Sequence, residues 1–138
     1  MILKLIRTYF AISSRIAPRA TGRRSFRVFR KVRIKKIRDR EQAFFTKAKK
    51  FTVPFEKEPI DCFEFGNPNG KLVLLVHGWE SNAGSMSKFM LKFSELGYRV
   101  VAFNLPGHAQ YKSSSTNLFE CYTAMNNVLN HLQPSEPI

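Results

Sequence analysis

Between Leu72 and His108 apolar runs alternate with an amphipathic stretch. Leu72, Val73, Leu74, Leu75 and Val76 form an unbroken apolar run ended by His77-Gly78, the pattern of a strand buried on both faces of a parallel sheet. Met86, Phe89, Met90, Phe93 and Leu96 then recur at i, i+3, i+4, i+7 and i+10. This spacing predicts one face of a helix, with Gly97 placed to end it. Val100, Val101, Ala102 and Phe103 make a second run, Arg99 to Asn104 overall, before the breaker Pro106-Gly107. Strand, helix and strand in this order predict a right-handed βαβ unit with parallel strands.

Upstream, Phe51 to Phe55 and Ile60 to Phe65 read as short strands separated by a turn around Lys57-Glu58-Pro59. Pro54 suits a sheet edge better than a centre. Asp39 to Lys50 places acids first and lysines last, as the helix dipole favours, and predicts a short helix. Gly66 to Gly70 (GNPNG) is a turn feeding the Leu72 strand. Downstream, HAQYKSSST reads as a loop, and Asn117 with Glu120 reads as a helix start of the capping-box kind. Leu118, Tyr122, Met125, Leu129 and Leu132 predict the apolar face of a second helix that covers the sheet and stops at Pro134.

At the N-terminus Ile2, Leu5, Ile6, Tyr9, Ile12 and Ile16 fall near one helical face, with Lys4, Arg7, Thr8 and Arg15 toward the other. Pro18 to Gly22 (PRATG) reads as a breaker, followed by the basic segment RRSFRVFRKVRIKKIR. Two parts result: a basic amphipathic arm, residues 1–38, and an α/β part, residues 39–138.

Charge sharpens this division. Of the 23 Lys and Arg, thirteen lie in residues 1–38, which hold no Asp or Glu, whereas residues 39–138 carry ten of each sign. The net charge of +13 therefore belongs to the arm and says nothing about a substrate of the α/β part. Charges interrupt the first apolar stretch, which is no clean signal peptide and is shorter than the roughly 20 residues that cross a bilayer. Such a helix serves equally to lie on an anionic membrane or to pack on the rest of the chain. Phe26 and Phe29 among arginines raise nucleic-acid binding, but no recognition module frames them, which disfavours that partner. Arg-rich, acid-free N-termini also resemble organelle transit peptides. Cys62 and Cys121 give neither a disulfide framework nor a metal motif, and no metal is expected.

The strings VLLVHGW and GYRVVAFNLPGH, at this spacing, resemble the α/β-hydrolase fold over roughly Phe51 to Ile138. With the preceding DREQAFFTKAKKF and the string HGWE, the chain is similar to bacterial hydrolases of the serine esterase or serine aminopeptidase-like type. The resemblance implies an incomplete α/β-hydrolase sheet: two antiparallel edge strands, the βαβ unit, then the second helix. In that fold the nucleophile sits at a G-x-S-x-G elbow on the next strand, with the acid and histidine later still. No G-x-S-x-G occurs here, and Gln133 to Ile138 fall where the elbow strand would begin. The resemblance therefore implies an N-terminal part of a hydrolase whose triad lies beyond Ile138. It also implies that the Arg99–Asn104 strand lacks its next partner and exposes an apolar edge.

Residue by residue, the resemblance makes the backbone N–H of Trp79 an oxyanion-hole donor and Gly78 the residue that lets the chain turn sharply near substrate. His77, Gly107 and His108 become turn supports, and His131 lies on the polar side of the second helix. None of the three histidines is a general base. Ser81, Ser85 and Ser87 become turn and cap residues, so no catalytic side chain is assigned. Asn104 stands where the family usually has Asp, and Ala109 where it has the second Gly of P-G-H-G. The functional expectation is serine-type hydrolysis of an ester, thioester or amide by the complete enzyme, with a small-molecule acyl substrate and no cofactor. The location expected is the cytoplasm, with contact at the inner membrane face through residues 1–38. The competing readings are an aspartate-nucleophile hydrolase, disfavoured by HGWE in place of H-G-x-P, and a catalytically silent chain whose basic arm binds an anionic membrane surface or an anionic partner.

Overall fold

Two compact units, Met1–Lys31 and Val32–Ile138, divide the chain. The computed structural model describes residues 2–56 and 58–132; the stop expected at Pro134 lies outside them.

In the first unit α1 (Ile2–Ile16) and α2 (Pro18–Phe29) flank Ala17, which leaves helical geometry at φ −140°. The break thus falls one residue before PRATG. Pro18 begins α2 instead of interrupting the chain, because a first-turn residue has no intrahelical use for the N–H that proline lacks. The basic run continues that helix to Phe29, so residues 18–29 are ordered helix where a breaker and an irregular segment were expected.

The second unit opens with an extended strap that is anchored along its length. Val32 is fully buried, and its N–H donates to Ser114 O at 2.9 Å. Lys35 Nζ donates to the carbonyls of Tyr111 and Ser113. Arg33, Ile34, Lys36 and Arg38 stay exposed, so the strap is held at Val32 and Lys35 while those side chains face solvent.

The remaining elements are α3 (Asp39–Lys47), β1 (Lys49–Val53), β2 (Ile60–Gly66), β3 (Leu72–Val76), a short 3-10 turn (Ala83–Met86), α4 (Ser87–Glu95), β4 (Arg99–Phe103) and α5 (Leu118–Leu132). The sheet order is β1-β2-β4-β3. β1 and β2 are antiparallel, as are β2 and β4, while β3 and β4 run parallel with Val76 opposite Phe103. The open edge is therefore not on β4, which has a neighbour on each side. Among the described residues the sheet has two edges, β1 and β3, so β2 is internal and not the edge strand that was expected; β3, whose apolar run suggested full burial, is only half-buried and Val76 is exposed. Periodicity registers how apolar a strand is and carries no information on its place in the sheet.

Strand alternation sends Val101, Phe103, Ile60 and Cys62 to one face, against Ala124, Val128 and Leu132 of α5. Val100, Ala102 and Phe63 point to the other, against Phe44 of α3 and Met90 of α4. The Phe44 and Phe65 rings stack at 5.5 Å, and Phe45 meets Phe63 edge-on at 4.7 Å, fixing α3 over β2. The helical faces are narrower or rotated relative to the predicted ones. On α4, Met90 is fully buried and Met86 and Phe93 pack beside it, but Phe89 and Leu96 are exposed. On α5 the buried line is Ala124, Val128 and Leu132, leaving Leu118 and Tyr122 in solvent. The α5 start follows its cap signal, with Asn117 Oδ1 accepting from Glu120 N–H at 3.0 Å.

An apolar edge strand with unpaired backbone groups templates further pairing. Sedimentation velocity of the purified chain is expected to show association that grows with concentration, and Val76→Lys is expected to suppress it. An unchanged distribution in that variant would place the association elsewhere.

Candidate active-site turn

Because β3 and β4 are parallel neighbours, their carboxyl ends lie side by side, and the turns that follow them meet there. In open α/β sheets this is where ligands bind. The first turn is His77-Gly78-Trp79-Glu80; the second is Leu105-Pro106-Gly107-His108.

The His77 ring joins them. Its Nδ1 lies 2.8 Å from Gly78 O, and Leu105 N–H donates to Nε2 at 3.0 Å. The second bond needs a lone pair on Nε2, so the proton sits on Nδ1 and the ring is neutral. Burial pushes the His77 pKa down to about 4, opposed by the Gly78 bond and assisted by His108. With both nitrogens committed to backbone, His77 has no lone pair left for a general-base role.

His108 is completely buried, its Nδ1 3.0 Å from Pro106 O, with a pKa lowered chiefly by burial. Its ring meets His77 edge-on at 5.2 Å and Trp79 at 5.1 Å. Trp79 itself is part-exposed at the mouth of the turn, with 43% of its surface open. A Cβ on Gly78 would meet nothing within 4 Å, so the protein's own packing does not demand glycine there. The left-handed residue of this turn is Glu80, at φ 56°, and its carboxylate accepts from Arg33 N–H at 2.9 Å. At Gly107, φ is 77° and a Cβ would stand 3.1 Å from Ser115 backbone, so both conformation and space require glycine.

A second set of polar groups holds the turn from behind, and sequence reading missed most of it. Asn104 Oδ1 accepts from Ala83 N–H and Asn82 Oδ1 from Gly84 N–H, each at 2.9 Å, so two side-chain amides take the first N–H groups of the 3-10 turn. Asn82 Nδ2 donates to Glu41 Oε2 at 2.9 Å, and the same oxygen accepts from Arg38 N–H at 2.9 Å. Glu41, Asn82 and Asn104 are all buried. The signals available were the departure from Asp at position 104 and the N-A-G run at 82–84; neither names Glu41, which is 41 residues from its partner. Opposite, Glu58 accepts from the backbone of Lys112 and Ser113 and fastens the loop that follows His108, contacts that lower its pKa.

The structure does not gather the other expected polar residues into a catalytic set. Ser81 Oγ donates to Ser85 Oγ at 2.9 Å, and Ser85 Oγ to Asn82 O at 2.7 Å. His131, exposed near the end of α5, stacks on Phe51 of β1 at 5.9 Å. Among the described residues no serine hydroxyl is hydrogen-bonded to a histidine. No cluster of His, Cys, Asp and Glu with metal-ligand geometry occurs among them either.

The fold has counterparts among solved structures. A thioesterase domain from the curacin biosynthetic pathway superposes with a TM-score of 0.58 at 23% identity, covering 62% of this chain and 33% of that one. An epoxide hydrolase from Vigna radiata gives 0.55 at 22% identity over 63% and 29%. A putative epoxide hydrolase from Klebsiella pneumoniae gives 0.52 at 22% over 65% and 31%. No family model matches the chain, and no curated protein does. The fold is thus that of the α/β-hydrolases. The matched region spans about a third of the length of these neighbours, which are themselves hydrolases of that fold.

Two expectations follow. His77 is neutral in the native state down to about pH 4, while its unfolded form takes up a proton near 6.5. The unfolded state therefore binds the extra proton between those values, and stability falls as pH drops through that window. Urea unfolding at pH 5 is expected to show about 2 kcal/mol less stability from this group than at pH 7.5. Ala109 is held at φ 48°, a conformation strained for a residue with a Cβ. Ala109→Gly is expected to keep or raise the unfolding free energy, and Ala109→Val to lower it by more than about 1 kcal/mol, in the same assay.

Proposed function

We propose that this chain supplies the first strands and the oxyanion turn of a serine-type α/β-hydrolase acting on a small acyl substrate, an ester, thioester or amide. The observation that carries the reading is the meeting of the His77–Glu80 and Leu105–His108 turns at the carboxyl ends of two parallel strands, tied through the His77 ring. In this reading the Trp79 backbone N–H donates to the oxygen that becomes negative in the tetrahedral intermediate. A fixed donor at such a position contributes about 3 to 4 kcal/mol to the transition state. The Trp79 indole, part-exposed at the same mouth, forms a wall of the acyl pocket.

The nucleophile, acid and base come from polypeptide that adds to the open β3 edge, since none of the chain's serines or histidines forms a nucleophile–base pair among the described residues. An aspartate nucleophile is the second reading, favoured by the epoxide hydrolases among the structural neighbours. A fluorophosphonate probe applied to the native cell separates the two. Labelling of a polypeptide or complex that contains this sequence supports the serine reading. Epoxide turnover by the same species without labelling replaces it. No reaction of either kind returns the chain to a non-catalytic role.

No helix of the described residues is long and apolar enough to cross a membrane. In the active species Trp79→Pro, which removes the N–H, is expected to lower kcat about 100- to 1000-fold with little change in KM, while Trp79→Phe keeps most of the rate. Equal losses in the two variants would move the role from the backbone to the indole.

A further inference from the structure

The first unit shows an apolar face with nothing of its own to cover it. On α1, Ile2, Leu5, Ile6, Tyr9, Ile12 and Ile16 are all exposed, between 44% and 79%, and share one side of a 15-residue helix. A helix of that length carries the stripe for about 22 Å. On α2, Arg19, Arg23 and Arg27 recur every fourth residue and are exposed, so they form one basic row. Arg24 donates to the Tyr9 hydroxyl, which sets a further cation from α2 at the margin of the apolar face of α1. Met1–Lys31 contains nine Lys and Arg and no acidic residue.

We infer that this helical pair docks on an anionic lipid surface, α1 lying in the interface and the arginines of α2 meeting headgroup phosphates. The inference stands apart from the hydrolase reading. That partner uses both halves of the surface. Apolar side chains gain by leaving water for the acyl boundary, and each cation near an anionic leaflet adds an increment that salt weakens. A nucleic-acid backbone would use the arginines but leave six large apolar side chains of α1 in water. At 15 residues α1 does not span a bilayer and can only lie along its surface.

Flotation of the full chain on density gradients tests this, because vesicle-bound protein rises while self-associated protein sinks. Vesicles of phosphatidylcholine alone are compared with phosphatidylcholine containing about a third phosphatidylserine. The expected result is at least about tenfold stronger partition onto the anionic vesicles, lost in about 0.5 M salt. Replacing Arg19, Arg23 and Arg27 together by Gln is expected to weaken partition about 100-fold, at about fivefold per charge. The pair Ile6→Asp and Ile12→Asp is expected to abolish it, with helix content by circular dichroism as the check on folding. Equal partition onto neutral vesicles overturns the inference. So does anionic binding that survives the Ile6 and Ile12 changes in a helical protein. Binding to a polyuridine probe with no flotation also overturns it and identifies a nucleic-acid surface instead.

Discussion

The neutral ring of His77 is the constraint on which the junction of the two turns after β3 and β4 depends. Two loops that leave adjacent parallel strands have no covalent tie and little regular structure of their own. One imidazole, donating to Gly78 and accepting from Leu105, sets the distance between them. It can do so only without a proton on Nε2, and burial supplies that condition by disfavouring the charged ring. The same histidine that looks catalytic by position is unavailable for proton transfer because its hydrogen bonds are spent on geometry.

The second support is a buried amide and carboxylate relay. Asn104 at the end of β4 and Asn82 after the first turn take consecutive N–H groups of the 3-10 turn, and Glu41 at the start of α3 holds Asn82. A helix far upstream in sequence thereby fixes the approach to α4. Such a network costs less than leaving any of its members unpaired in the interior. Asn at position 104, a departure from the residue expected by resemblance, accepts through Oδ1 from the Ala83 N–H. Ala109 is the opposite case: it keeps the positive φ that its glycine counterpart would hold freely, so the strain stays local to one residue.

The surface divides along the same lines as the sequence. Residues 39–138 balance their charges. The first unit concentrates cations beside an apolar helical face that its own packing leaves uncovered.

Local pattern determined a good deal. The α1 and α5 helices, the β2 and β4 strands, the Asn117 cap and the stop at Gly97 are all written in spacing and in residue types with steep conformational preferences. The pairing of HGW with LPGH carried the fold through resemblance, and with it the positions of His77 and Trp79. What the tertiary structure decided has one physical character: it concerns partners distant along the chain. Strand order was beyond reach because the apolar run of β3 is the same whether its outer edge is covered or open. The buried face of α5 rotated because contact with β1, β2 and β4, not helical period alone, selects which apolar side chains lose water. The strap at 32–38 was hidden by its charge, since Lys35 is satisfied by carbonyls nearly 80 residues away. Glu41 gave no sign at all, because a carboxylate becomes structural only when folding brings an amide to it.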